Sequence, residues 1–507
     1  MSNNENILKE LLVENISESI NEHKLLEQLA LEPAPPPRKI KTIAIFYHRF
    51  YAGGVERVIS EQFRYFLELG YKVVLITEVT STKADFSIPD QIVREIIPAK
   101  VEGRLEALQE IFERHNVDLY YTHASFARQT LWDLLIVRFL LKRRVIVHAH
   151  GIFPCSLVWD EDNLQYRIDL YRLADKLIVL TRADAFYYQS YGIDCVYLPN
   201  PLPIIEAPKL VSDSRFDTRT VLAVGRVCSV KRTLDVLKVA AELQKVDTSI
   251  KLLIIGSHED AVYWRQVQNF YRAKALATTV NFMPYTTDIE KEYLKGSLLV
   301  VTSQLEGFPM VMAEAKGFSL PVISYDLPYI EFFRLERNGI ISVPQGDYLA
   351  MAREIKRVLD DRSLYNNLSI DSRSSYEKMI ASADLKESYA DVVKSLEDNK
   401  ESKILIYEDA RAAFEALVHQ MRERCRLVAS REYLRGAETT RRSLLDADKN
   451  VKKNLAPQKK LVIVKMLSWV FEKFTKTLDA LRTLGFKVTC YKIKEKIIVL
   501  LKRVNRK

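Results

Sequence analysis

Two carboxylates, Glu306 and Glu314, stand on either side of a predicted strand-to-helix junction. The apolar run at 298–301 predicts a buried parallel strand, and the Thr-Ser pair at 302–303 offers an N-cap for the helix that follows. This helix carries Glu314 and ends before Pro321. Open α/β sheets bind ligands at such carboxyl ends of strands, where backbone N–H groups and the helix dipole favour oxygen-rich or anionic groups. Taken alone, the two carboxylates could equally be a surface group and a helix cap.

A pair of cations, Arg226 and Lys231, follows another apolar run at 220–224. Gly225 precedes the arginine, and the lysine lies where a helix is predicted to begin. A guanidinium is a planar fork of donors and an ammonium is a point charge, so the two together near helix-terminal amides predict a phosphate site. The alternative for the lysine is plain surface charge.

A glycine pair, Gly53-Gly54, connects the predicted strand 41–46 to a helix and then to the strand 72–76. This arrangement is the opening βαβ unit of a Rossmann-like domain, and the glycines let the backbone approach a ligand at a helix N-terminus. The alternative is a tight structural turn. The pattern is not GxGxxG, and no acidic residue ends the second strand in the dinucleotide manner, so a dehydrogenase is disfavoured.

Three histidines follow predicted strands of the same sheet. His148 and His150 end the strand that begins at 145, and His123 follows the strand 117–121. We interpret His150 as functional, with a satisfied structural histidine as the alternative, His148 as a packed or capping residue, and His123 as a further candidate. Zinc would require third and fourth ligands, and neither H-E-x-x-H nor a cysteine partner supplies them, so no metal site is predicted.

The elements that position these residues recur along the chain. Apolar runs of strand length are separated by helical stretches and lie at 41–46, 72–76, 117–121, 145–147, 177–181, 195–198, 220–224, 252–256, 280–285, 298–301 and 322–325. At 507 residues the chain exceeds the roughly 250–300 residues of one core, so more than one domain is expected.

The signature Glu-x7-Glu, with Gly307-Phe308-Pro309 after the first glutamate, resembles that of retaining nucleotide-sugar glycosyltransferases of the GT-B fold, group 1 and family 4-like. The resemblance covers roughly residues 41–395. It implies an α/β fold with two Rossmann-like, doubly wound domains that face each other across a cleft. The chain departs from the family where it lacks a glycine near Met283-Pro284, which puts nucleobase recognition in doubt, and where it has Ser319 instead of glycine.

The resemblance also implies a role for each candidate residue. The first glutamate and the following amides would hold hydroxyls of the donor sugar, the second glutamate the ribose, and the Gly-Arg and lysine the donor diphosphate. The glycine pair would lie beside the phosphates and the acceptor, and the histidine would reach the leaving group or sugar. The role at the sugar hydroxyls falls to Glu306 with Gly307, Phe308 and Pro309, and the role at the ribose to Glu314. The role at the diphosphate falls to Arg226 and Lys231, with Gly53 and Gly54 beside the phosphates. His150 is the histidine of the pattern, and His150 and Glu306 are the predicted catalytic residues.

The resulting hypothesis is a metal-independent glycosyltransferase of the hexosyl type without a cofactor. It would move a sugar with retention from a nucleotide-diphosphate sugar to a hydroxyl of a glycan, lipid-linked or wall-polymer acceptor, in the building of wall or capsule polysaccharide. Two alternatives stay open: an epimerase of nucleotide sugars on the same fold, and a non-catalytic assembly subunit that docks on membranes.

Four segments are predicted from composition. They are an amphipathic helix with a proline-rich linker (1–38), a Rossmann-like acceptor domain (39–205), a Rossmann-like donor domain (206–396) and a helical basic extension (397–507). The helix of the first segment has a possible break near Asn21 and is expected to dock on the rest of the protein or on a partner. Residues 459–507 suit either an interfacial helix on anionic lipid or helices packed on the enzyme or a second copy. Nucleic-acid binding is disfavoured because no reading motif accompanies the basic residues.

The remaining composition predicts a compartment. The net charge is +9, the five cysteines are scattered without a C-x-x-C pair, and the N-terminus lacks the pattern of a signal peptide. No apolar run reaches the ~18–20 residues of a membrane span. A cytoplasmic protein is expected, either soluble or peripheral on the inner face of the cell membrane.

Overall fold

The computed structural model describes residues 3–13, 22–51, 53–82, 85–125, 127–153, 163–205, 213–258, 260–382, 385–398 and 410–417. Met1–Ser342 and Tyr348–Phe414 form one compact unit, which contains both sheets apart from the last residue of the second sheet's final strand. Val343–Asp347 and Glu415–Lys507 are grouped separately.

Seven parallel strands form the first sheet. They are Thr42–Phe46 (β1), Lys72–Thr77 (β2), Val93–Ile96 (β3), Leu119–Thr122 (β4), Arg144–Ala149 (β5), Lys176–Val179 (β6) and Cys195–Tyr197 (β7). Their order is β3-β2-β1-β4-β5-β6-β7. The central strands β1, β4 and β5 are buried along their whole length, as expected for a sheet covered on both faces.

Six strands form the second sheet. They are Thr220–Val224 (β8), Lys251–Ile255 (β9), Val280–Met283 (β10), Leu298–Val301 (β11), Val322–Tyr325 (β12) and Ile340–Val343 (β13), in the order β10-β9-β8-β11-β12-β13. In both sheets the strand order reverses beside the first strand, between β1 and β4 and between β8 and β11. Such switch points are where doubly wound sheets bind ligands. The predicted fold class, two Rossmann-like domains, is confirmed.

Helices cover both sheets and precede the first one. They are Asn3–Leu11 (α1), Glu22–Ala30 (α2), Gly54–Glu68 (α3), Arg104–His115 (α4), Arg128–Leu134 (α5), Asn163–Tyr171 (α6), Arg182–Gln189 (α7), Asp213–Asp217 (α8), Thr233–Val246 (α9), Ala261–Ala273 (α10), Ile289–Lys295 (α11), Met310–Gly317 (α12), Glu331–Arg334 (α13), Tyr348–Asp360 (α14), Arg362–Ser382 (α15) and Leu385–Glu397 (α16). A π-helical turn, Leu135–Leu140, continues α5.

The last of these helices, α16, returns to the first domain. Tyr389 and Val393 are buried in the apolar core that β1 and α3 form. The Ile40 amide, just before β1, donates to Oε1 of Glu397 at 2.7 Å. The chain therefore crosses back onto its first domain.

The N-terminal segment forms two helices within the described residues, α1 and α2, rather than one unbroken helix. Both dock on the first domain: Nη2 of Arg128 donates to the Leu11 carbonyl at 3.2 Å, and Nδ1 of His23 lies 2.5 Å from Oδ2 of Asp169. Of the two predicted docking partners, the chain itself is the one observed.

Two strands, β3 and β13, were not predicted from the sequence, because neither is a buried apolar run. Most of the predicted basic extension, including 459–507, lies outside the described residues, which from this segment include only 397–398 and 410–417. Among the described helices, none has both the length and the apolar character that crossing a bilayer requires.

Candidate active site

The cationic and acidic candidates of the second domain meet at its switch point. Nζ of Lys231 donates to Oε1 of Glu306 at 2.6 Å, although the two residues lie on loops that follow different strands, β8 and β11. Two further hydrogen bonds join these loops, since the Thr302 hydroxyl donates to the Lys231 carbonyl at 2.7 Å and the Gln304 amide to the Val230 carbonyl at 2.8 Å. Lys231 and Glu306 therefore share one crevice.

Glycines at the ends of β8 and β9 allow the crevice to form. Gly225 has φ +144° and Gly256 has φ +153°, which side chains rarely adopt. A Cβ at Gly256 would lie 2.1 Å from the Gly225 carbonyl oxygen, so the two loops touch backbone to backbone. The pocket beside them is lined by Arg226, Lys231 and Thr302, among others.

Arg226 is exposed, and its charge acts on two groups of the first domain, Glu56 and Tyr47. Burial raises the pKa of both Glu56 and Tyr47, that of Tyr47 to about 12. The positive charge of Arg226 acts against this rise in both groups. The neighbouring Arg232 instead pairs with Asp235 of its own helix at 2.6 Å. The two predicted phosphate contacts, Arg226 and Lys231, thus line the pocket, whereas Arg232 has a partner in α9.

Glu314 is buried in α12 and has partners from both domains. The Tyr293 hydroxyl donates to its Oε2 at 2.9 Å, and Nε of Arg57, from α3 of the first domain, lies 3.5 Å from its Oε1. Burial raises the pKa of Glu314, while Arg57 and the Tyr293 hydrogen bond act against that rise. This carboxylate therefore joins the two domains electrostatically.

The loop between the two glutamates corrects two expectations. The helix begins at Met310 with Pro309 as its N-cap residue, so the predicted cap at 302–303 is wrong. Thr302 instead uses its hydroxyl to hold Lys231. Pro309 has no N–H, so only the amides of Gly307 and Phe308 can donate to a ligand here. The Phe308 ring is buried and packs on Phe332, with 5.4 Å between centroids.

Gly307 touches the first domain. A Cβ at this position would lie 2.7 Å from the His150 carbonyl oxygen and 3.4 Å from Cδ1 of Leu180. The predicted donor-sugar loop and the predicted catalytic histidine are thus in main-chain contact.

The glycine pair lies at the start of α3, with Gly53 as the N-cap residue and Gly54 as the first helical residue. A Cβ at Gly53 would lie 2.1 Å from Oε2 of Glu56, so the glycine makes room for this buried carboxylate, which pairs with Nε of Arg49 at 3.1 Å. Gly54 has open space around its Cβ position. Glu56 and Arg57 were not predicted, although they follow the glycine pair with one residue between, a position that could have indicated them.

The three histidines form one cluster at the ends of β4 and β5. Nδ1 of His123 lies 2.7 Å from Nε2 of His150, and the rings of His148 and His150 stack with 4.5 Å between centroids. The side chains of His148 and His150 therefore lie on the same side of the strand end. Desolvation lowers the pKa of all three imidazoles, that of His150 to about 3.

This cluster is also where the described residues could hold a metal ion. One nitrogen from each of the three side chains lies within 4.8 Å of the others, so His123 would be the third ligand, which the sequence did not reveal. Neutral imidazoles are suitable ligands for zinc. The 2.7 Å separation of His123 and His150 is, however, that of a hydrogen bond, shorter than two nitrogens on one ion adopt.

Two family models match the chain. The model described as Glycosyltransferase Family 4 matches residues 52–204, and that of Glycosyl transferases group 1 matches residues 209–375.

Curated relatives include an uncharacterized glycosyltransferase of Haemophilus influenzae, 28% identical over 203 residues, which are 39% of this chain and 56% of that protein. The amylovoran biosynthesis glycosyltransferase AmsD of Erwinia amylovora is 30% identical over 169 residues, or 32% and 46% of the two chains. A Campylobacter jejuni α-1,4-N-acetyl-D-galactosaminyltransferase, named for a diNAcBac-PP-undecaprenol-linked substrate, is 25% identical over 268 residues, or 52% and 70%. The chain spans about half the length of the first two.

Solved structures share the fold. Sucrose-phosphate synthase from Thermosynechococcus elongatus aligns with a TM-score of 0.59 at 17% identity, over 70% of this chain and 99% of its own. A variant of Staphylococcus aureus TarM, in complex with fondaparinux, α-GlcNAc-glycerol and UDP, aligns with a TM-score of 0.57 at 13% identity, over 70% of this chain and 100% of its own.

Proposed function

The chain belongs to the GT-B glycosyltransferases of the group 1 and family 4-like type, and from this premise we propose that it is a retaining, metal-independent hexosyltransferase. It takes a sugar from a nucleotide-diphosphate donor and transfers it to a hydroxyl of a glycan, lipid-linked or wall-polymer acceptor. The name of the Campylobacter relative, which specifies an undecaprenol-linked glycan, supports this class of acceptor.

The observation that carries the proposal is the 2.6 Å contact between Lys231 and Glu306 at the switch point of the second sheet. It brings a cation suited to phosphate and a carboxylate suited to sugar hydroxyls within reach of one ligand. Arg226 lines the same pocket, and within the described part of the chain it forms no ion pair with an acidic side chain. A diphosphate that entered would meet two positive charges in the loop after β8.

Each side chain then has a task that its position supports. Arg226 and Lys231 stabilise the negative charge that develops on the leaving diphosphate, which replaces the usual need for a divalent ion. Glu306 accepts hydrogen bonds from sugar hydroxyls while the Gly307 and Phe308 amides donate to the sugar, and Glu314 accepts from the ribose. When the donor binds, Lys231 pairs with its diphosphate instead of with Glu306, so the Glu306 carboxylate becomes free to bind the sugar.

The first domain contributes the acceptor side. The Gly53-Gly54 turn, with open space at Gly54, begins the helix whose Glu56 is influenced by the charge of Arg226. His150, whose carbonyl touches Gly307, reaches the donor sugar or its leaving group. Holding donor and acceptor in one geometry supplies much of the rate acceleration.

A panel of nucleotide sugars, incubated with the full chain and a membrane extract, tests the proposal by mass spectrometry of the products. We expect one donor to be consumed with a matching mass gain on an acceptor, and proton NMR of the product to show the donor's anomeric configuration. Arg226→Ala should reduce turnover by about 100- to 1,000-fold. Conversion of a donor without any acceptor would indicate an epimerase instead, and inversion at the anomeric carbon would contradict retention.

A further inference from the structure

The histidine cluster contains a contact that the proposed roles do not use, between His123 and His150. The register of the first sheet explains the cluster, since Thr122 of β4 pairs with Val147 of β5, so the next residue, His123, lies beside His148. His148 and His150 then follow at i and i+2 on one face. Three imidazoles therefore meet at the carboxyl edge of the sheet, where it faces the donor loop.

The contact constrains how His150 can act. Its Nε2 lies 2.7 Å from Nδ1 of His123, which is a hydrogen bond between two neutral rings. A neutral imidazole has one donor and one acceptor nitrogen, so this bond uses one nitrogen of each ring and fixes which tautomers can pair. Only Nδ1 of His150 is then left for the substrate.

The rest of the cluster holds the two rings in place. The rings of His123, which is 2% exposed, and His150 lie nearly parallel, at 22°, with 5.0 Å between centroids. The fully buried ring of His148 packs against both. Nδ1 of His148 is in turn fixed by the Tyr121 hydroxyl at 3.0 Å and by Nε2 of Gln62 at 3.4 Å. The two His rings cannot rotate apart without displacing this buried network.

We propose that His123 is a positioning residue for the transfer reaction: its Nδ1 holds Nε2 of His150, so that Nδ1 of His150 faces the donor sugar or its leaving oxygen. This inference rests on the proposed function, because it assumes that His150 contacts the donor. His123 itself need not touch the substrate.

Two near-isosteric substitutions separate positioning from mere packing. Asparagine places its amide where Nδ1 of a histidine lies, whereas glutamine places it near Nε2. His123→Asn should therefore keep kcat within about threefold, while His123→Gln and His123→Leu should lose about 10- to 100-fold in kcat with little change in donor KM. Equal activity of the asparagine and glutamine variants, whether high or low, would overturn the proposal.

A second measurement does not depend on turnover or on the stability of a variant. Histidine labelled with 15N in the wild-type chain reports the protonation of each ring nitrogen, and we expect His150 and His123 to show coupled, single tautomers. A rapid average of two tautomers for His150 would overturn the proposal, as would a stoichiometric metal bound to the cluster in the purified protein. If the wild type transfers no sugar while the tautomers are fixed as expected, the proposed function fails and the hydrogen bond stands.

Discussion

Gly307→Ala tests the contact between the donor-sugar loop and the first domain. The added Cβ would lie 2.7 Å from the His150 carbonyl oxygen, about 0.7 Å short of the 3.4 Å at which ordinary contact begins. Because that oxygen belongs to the backbone, it cannot rotate away as a flexible side chain would. Either the loop or the end of β5 must move by several tenths of an ångström.

The magnitude follows from this displacement. Overpacking of this kind costs roughly 1–3 kcal/mol of stability, and a shift approaching 1 Å in a catalytic group can cost about 100-fold in rate. We expect Gly307→Ala to lower kcat about 10- to 100-fold with a small loss of thermal stability.

Gly151→Ala is the matched control, because its Cβ would meet nothing within 4 Å although the residue is next to His150. Donor turnover and thermal melting of the two variants, measured side by side, decide the question. A Gly307→Ala variant as active and as stable as Gly151→Ala would refute the geometric reasoning.

Two further predictions concern charge. Burial and Glu290 raise the pKa of Glu314, while Arg57 and the Tyr293 hydrogen bond lower it. Arg57→Gln removes one of the two lowering influences, so the pKa of Glu314 should rise further and the acid limb of kcat/KM for the donor should move to higher pH. An acid limb that stays in place contradicts the pairing. Deletion of residues 459–507 should release the protein from vesicles that contain anionic lipid, as cosedimentation would show, while transfer to a soluble acceptor continues. A truncated chain that still sediments with the vesicles contradicts the interfacial-helix interpretation.

The sequence predicted the fold well where strands are buried on both faces. The runs that became β8, β11 and β12 were predicted with their observed bounds, because central parallel strands are almost wholly apolar. Val93–Ile96 was missed because it is an edge strand, with Val93 and Ile96 about half exposed and a charged pair between them. Its pairing with β2 is a tertiary feature that a single strand's pattern does not contain.

The site was predictable to the extent that topology determines it. Lys231 and Glu306 are 75 residues apart, yet each follows a strand at the switch point, so the rule for open sheets brings them together. His123 and Arg57 were not predicted to meet His150 and Glu314. The first contact depends on the register between β4 and β5, and the second on how the two domains approach each other. Neither can be read from local patterns.

Direct binding of a nucleoside diphosphate tests the central claim, that the loops after β8 and β11 form one donor site. Isothermal titration calorimetry of UDP and its analogues with the wild type, Lys231→Ala and Lys245→Ala would measure the binding affinity. Lys245→Ala is the control, because Lys245 is an exposed cation of α9 that pairs with Glu242 at 2.7 Å. We predict one site per chain for at least one nucleotide, with affinity at least about tenfold weaker in Lys231→Ala and unchanged in Lys245→Ala. Equal affinity in all three proteins would contradict the account.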